Sequence, residues 1–259
     1  MAADRLANLL AGRAGLENGE IHVWNAPLKH DNDATGLALL LQPEERARAA
    51  AFAFDPDRRL YVHSHGVLRR VLSRYTGREP GELVFEGSGG QKPRVRRRPD
   101  DGDLHFSLSH SGRLCLVAVS LRSPVGVDVE RVRPLPDARR IARRWFTPAE
   151  NDALARLSGA AFERAFFVLW THREAVTKAL GENLEAGFRA LTCALDPDGS
   201  ARLVSWRGDE AVTRRWKVRR LEPAHGYLGA LATLADFEVM KCLTWGCDGA
   251  AEAAVGSER

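Results

Sequence analysis

The chain has 259 residues, 44% of them hydrophobic, which is enough to bury one large core or two of ordinary size and excludes a wholly disordered polymer. Lysine and arginine number 38 against 34 acids, a net charge of +4 that favours anionic partners without naming them. No stretch of about 18 uncharged apolar residues is present, Asp4, Arg5, Arg13 and Glu17 interrupt any signal-peptide core, and Cys115, Cys193, Cys242 and Cys247 form no C-x-x-C pair. A cytoplasmic protein with reduced, mostly buried thiols is expected, rather than a secreted disulfide scaffold, a zinc module or a membrane protein.

Residues 1–20 read as an N-terminal extension, after which Ile21-His22-Val23-Trp24 alternates as a strand. Gln42-Pro43-Glu44-Glu45 opens a helix with proline and acids in its first turn, running to about Phe52. From Arg58 to Tyr75, Leu60, Val67, Leu68, Val71 and Leu72 recur at helical spacing before Gly77. Gly87 to Asp103 is loop-like and carries the basic run Arg94, Arg96, Arg97 and Arg98. Strands are predicted over Leu104 to Ser109 and Arg113 to Leu121, with Ser111-Gly112 as the turn. Ser123-Pro124 marks a seam, so that 21–122 and 123–246 are expected to form two halves and 247–259 a frayed tail.

The second half starts much as the first does. Val125 to Glu130 reads as a strand and Pro136 to Arg144 as a helix. Thr147-Pro148-Ala149-Glu150 has the form of a capping box with proline at the first helical position. A long helix is predicted from Ala161 to Leu180, stopped by Gly181. Its apolar stripe is Phe162, Ala165, Phe166, Leu169, Val176 and Leu180; a second, mixed stripe of Glu163, Phe167, Trp170, Thr171, Glu174 and Lys178 has a composition that suits the wall of a cleft. Leu191 to Leu195, Ala201 to Trp206, Trp216 to Leu221 and Tyr227 to Thr233 read as strands. No repeat is visible by identity.

Asp128 and Glu130 stand two apart in a strand, so both leave the same face and can share a hard cation, with Glu174 as a third oxygen donor. The ordinary alternative is a solvated edge strand, and for Glu174 with Lys178 an i,i+4 surface pair. Ser109 and His110 are strand neighbours that point to opposite faces, and no G-x-S-x-G surrounds them, which counts against a serine hydrolase. His110 fits an anion donor or a structural histidine. Lys92 and the arginines after it could bind phosphate or simply keep a loop soluble, and with no cleft to place them in, solubility is preferred. The basic run lacks interleaved aromatics and no zinc-finger or RNP signature occurs, so a nucleic-acid-binding protein is favoured by charge alone.

Four blocks appear in order: Gly90-Gln91-Lys92-Pro93, Phe106 to Gly112 (Phe-Ser-Leu-Ser-His-Ser-Gly), Gly126 to Glu130 (Gly-Val-Asp-Val-Glu) and Trp170 to Lys178 (Trp-Thr-His-Arg-Glu-Ala-Val-Thr-Lys). Together they resemble the Sfp-type 4′-phosphopantetheinyl transferases, over about Leu41 to Thr233. The resemblance implies an α+β fold of two similar α/β halves in pseudo-twofold arrangement, with coenzyme A in the cleft between them. It implies Mg²⁺ on Asp128, Glu130 and Glu174, catalysis by Glu174 and Lys178, and coenzyme A contacts from Lys92, Ser109, His110, Asp128 and Lys178. Arg48 and Arg58 lie in segments that supply further phosphate contacts. Two departures bear on the coenzyme pocket: Gln91 where many members have glycine, and Leu60 where an additional arginine is common. The implied activity is of the holo-[acyl-carrier-protein] synthase type, acting on apo acyl, peptidyl or aryl carrier proteins of fatty-acid, polyketide or peptide assembly. A monomer with no nucleic-acid or membrane partner is expected; a carrier or coenzyme A binding module without turnover is the other reading.

Overall fold

The structure, a computed structural model, describes residues 15–17, 19–28, 33–87, 92–98, 102–234, 237–245, 251–252 and 257–258. Gly90 and Gln91 of the first block, the tail cysteine Cys247, and most of the N-terminal extension and the tail lie outside the described residues. The described residues of 1–87, 93–122 and 237–259 form one compact unit, and those of 88–92 and 123–236 a second.

In chain order the elements are β1 (Glu20–Pro27), α1 (Asp33–Ala38), α2 (Pro43–Ala50), α3 (Asp55–Thr76), β2 (Phe85–Glu86), β3 (Arg94–Val95), β4 (His105–Ser111), β5 (Leu114–Ser120) and β6 (Val125–Arg131). There follow α4 (Ala138–Trp145), α5 (Pro148–Ala155), α6 (Gly159–Leu180), α7 (Leu184–Ala190), β7 (Leu191–Leu195), β8 (Ala201–Trp206), β9 (Lys217–Leu221), β10 (Tyr227–Thr233), β11 (Val239–Trp245), β12 (Ala251–Glu252) and β13 (Ser257–Glu258). The class is α+β, as expected. Among the described residues no helix is long and apolar enough to cross a membrane.

In the first unit a sheet is ordered β12-β11-β1-β5-β4, with β13 also on β11; β1 runs antiparallel to β5 and parallel to β11. The helical stripe read from the sequence is the buried face of α3: Leu60, Val67, Leu68, Val71 and Leu72 are all buried, against Trp24, Phe106, Val117 and Val119 for the last four. The β4–β5 turn is Gly112-Arg113, one residue later than predicted, because Ser111 still pairs with Leu114 and the positive φ falls on Gly112. Within the stretch read as loop lies β3, which pairs with β2 just before it as a two-residue ladder.

In the second unit β6-β10-β9 is an antiparallel sheet and β7 pairs with β8. The helix α6 packs along β6 and β10. Its buried side carries Phe162, Phe166, Leu169 and Val176.

The two units share a device that identity does not reveal. Before each 22-residue helix, α3 or α6, comes a short helix with proline in its first turn and a glutamate that caps it. Glu45 accepts from the Gln42 amide at 2.8 Å and from Arg69 Nε at 2.8 Å, and Arg69, 1% exposed, also donates to the Pro80 and Leu83 carbonyls. Glu150 accepts from the Thr147 amide at 2.7 Å and pairs with the fully buried Arg173, which also donates to the Phe188 carbonyl at 2.6 Å. Each long helix is thus pinned to the preceding short one by a buried arginine, and each ends on a glycine in the left-handed region, Gly77 or Gly181.

Candidate active site

The polar face of β6 is built by the requirement that α6 lie close to it. A Cβ on Gly126 would overlap the Ala175 carbonyl and crowd the Ala179 amide, so glycine is what lets the helix backbone approach. Two residues on, Asp128 leaves the same face and is 2% exposed. Lys178, on the last turn of α6, reaches it: Nζ lies 2.6 Å from Asp128 Oδ1 and 3.3 Å from Glu174 Oε2. Burial works against the Lys178 charge, but Asp128 and Glu174 outweigh it and raise its pKa above the ordinary lysine value. The result is a cation held between a strand carboxylate and a helix carboxylate.

Glu130 follows on the same strand face and is half-buried. Among the described residues no group of three acidic, histidine or cysteine side chains is gathered closely enough to hold a metal ion. The donor set is nonetheless of the right kind for a hard cation, all carboxylate oxygen, and the ammonium already joins two of its members. His172 adds nothing to it: the ring is buried, its Nδ1 donates to the Val168 carbonyl at 2.8 Å, and burial pushes its pKa down to about 4.

The mixed stripe of α6 is not the wall of a cleft along its length. Phe167 and Thr171 are buried, Trp170 packs against Phe146, Phe166 and Phe188, and the Thr171 hydroxyl donates to the Val168 carbonyl. Aromatic packing takes those positions into the core and leaves Glu174 and Lys178 as the polar pair.

On β4, Ser109 is 6% exposed while His110 is exposed, as alternation along the strand requires. Arg48 is exposed on α2; Arg58 is exposed at the start of α3, with its Nε 3.0 Å from Asp55 Oδ1. These four belong to the first unit. Lys92 belongs with the second, where its Nζ donates to the Val125 carbonyl at the start of β6. Sequence reasoning missed the buried pair of Glu150 with Arg173, the residue before Glu174; the capping box was the signal for Glu150, and nothing in the sequence pointed from it to Arg173.

Residues 24–122 match the family model described as 4′-phosphopantetheinyl transferase, N-terminal, and residues 124–232 match the 4′-phosphopantetheinyl transferase superfamily. The chain is 34% identical over 218 residues to the 4′-phosphopantetheinyl transferase HetI of a Nostoc species, covering 84% of this chain and 89% of that one. It belongs to the 4′-phosphopantetheinyl transferase family. Other members with detectable similarity are the transferase Sfp of Bacillus subtilis, 28% identical over 174 residues (67% of this chain, 74% of that one), and enterobactin synthase component D of Escherichia coli, 29% over 146 residues (56% and 63%). As a phosphopantetheinyl transferase the chain is a group-transfer enzyme, and the superfamily match spans Asp128, Glu130, Glu174 and Lys178.

Proposed function

We propose that this enzyme moves the 4′-phosphopantetheine arm of coenzyme A onto a serine of an apo acyl, peptidyl or aryl carrier protein. The observation that carries the reading is the Asp128–Lys178–Glu174 cluster, a charged group on two packed elements within the superfamily match. The serine oxygen attacks the phosphorus nearest pantetheine, the phosphoanhydride bond breaks, and adenosine 3′,5′-bisphosphate leaves. Glu174 takes the serine proton, and Lys178 offsets charge on the phosphoryl oxygens. Phosphoryl transfer rests mainly on positioning and electrostatics, so no covalent nucleophile is required.

Asp128, Glu130 and Glu174 would hold Mg²⁺, which supplies charge neutralisation on the diphosphate when bound. For the coenzyme's phosphates the reading uses Lys92, Ser109 and His110, with Arg48 and Arg58 as further cations. A cytoplasmic monomer meeting acidic carriers completes it, since a chain of net charge +4 is drawn to acidic partners. The test is incubation of purified enzyme, coenzyme A and a panel of apo carriers, with and without chelator, read by intact mass. Transfer that survives exhaustive chelation would remove the metal, and no transfer to any carrier class would remove the reading.

A further inference from the structure

The basic run after Lys92 has no part in the proposed transfer, and the structure gives it a concave setting. Within the first unit, a recess of about 810 Å³ is lined by Arg78, Arg94, Arg96, Arg97 and Arg98, with Glu86, Asp103 and His105 also on its wall. Among the described residues of the lining, five guanidinium groups face two carboxylates, an excess of three positive charges when His105 is neutral. Arg78 is 7% exposed and donates to the Arg96 carbonyl at 2.8 Å. Burial, and then the neighbouring Arg98, pull its pKa below the ordinary arginine value, the condition an incoming anion relieves. His105, on this recess, stands five positions from His110 along β4, and Arg94 stands two positions after Lys92.

We propose that the recess binds a small polyanion carrying two or more phosphate or sulfate groups. Its volume falls in the range of small-molecule sites. On the rim Arg96 pairs with Glu86 at 2.6 Å, Arg97 with Asp103 at 2.6 Å, and Arg98 lies 3.6 Å from Glu82, all between exposed side chains. Exposed pairs of this kind are worth little and yield to a ligand that offers several anionic oxygens at once. A ligand that reaches Arg78 has to enter the recess, which favours a small molecule over the face of a protein. The site stands whether or not the transferase assignment is correct.

The probe is inorganic tripolyphosphate, titrated calorimetrically without divalent metal into full-length chain carrying Lys92→Ala and His110→Ala, which removes contacts assigned to coenzyme A. One tripolyphosphate per chain is expected to bind, more weakly as salt is raised. Adding Arg96→Gln and Arg98→Gln, both at exposed positions, should weaken binding about tenfold or more with Tm unchanged. Binding that is absent in the first variant, or unchanged on adding the arginine pair, overturns the proposal. So does an acidic carrier protein whose binding needs the arginine pair while tripolyphosphate binding does not.

Discussion

Glu174 meets Lys178 one helical turn on, and Lys178 in turn meets Asp128, 50 positions away in the chain. The first contact was legible as i,i+4 spacing and the strand position of Asp128 as a period of two, but the contact between them needs α6 laid on β6, which no local pattern encodes. Glu174→Gln keeps the volume and removes the carboxylate, so transfer should fall about 10²- to 10⁴-fold with little change in Tm. Near-native turnover by the folded variant would reduce the pair to a surface contact. Glu45 offers a pH test away from the site. Burial acts to raise its pKa, but hydrogen bonds from His65, the Gln42 amide and Arg69 win, and the folded value lies below 4.5. A depressed carboxylate contributes stability above its unfolded pKa and loses it as pH falls through the folded one. The Tm gap between wild type and Glu45→Gln should therefore be full at neutral pH and narrow below about pH 4.5; a gap independent of pH would contradict this.

At the scale of elements, α3 and α6 were legible from an apolar stripe at helical spacing closed by a glycine, and the β4–β5 hairpin from two apolar runs about a Ser-Gly turn, although β5 is buried along its whole length. β11 was not: along Val239–Trp245 only Met240 and Trp245 are fully buried, so no alternation shows. The helix α7 was missed because it is seven residues long with Gly187 inside it, too short for a helical stripe. The close approach of β6 and α6 gives a prediction of its own. Gly126→Ala puts a methyl group into the helix backbone and should cost about 1–3 kcal/mol of stability, with transfer lowered in the molecules that remain folded. Wild-type Tm and activity would show that the two elements are not held at contact by that glycine. The buried Arg173–Glu150 pair is expected to matter more: Arg173→Met leaves a buried carboxylate without its cation, a loss of about 3–5 kcal/mol by denaturant unfolding. A change under about 1 kcal/mol would mean that the network carries no stability.

For the whole molecule, the family was legible from four blocks in order, and the α+β class from the resemblance those blocks carry. Two similar halves were implied by that resemblance; the buried contact they repeat, Glu45 with Arg69 and Glu150 with Arg173, was not legible, because it repeats a contact rather than a sequence. Cys115 and Cys193 behave as small core residues: both are buried, and burial pushes both thiols up to about 12. Neither should react with a thiol reagent until the protein unfolds; rapid modification of either in native protein would contradict the packing. That the Asp128–Lys178–Glu174 cluster performs the transfer is tested most directly by intact mass of an apo carrier protein after incubation with coenzyme A, Mg²⁺ and either wild type or Asp128→Asn, both verified as folded. The expected result is one phosphopantetheine on the carrier serine with wild type and almost none with the variant, and equal modification by the two would contradict the role of the cluster.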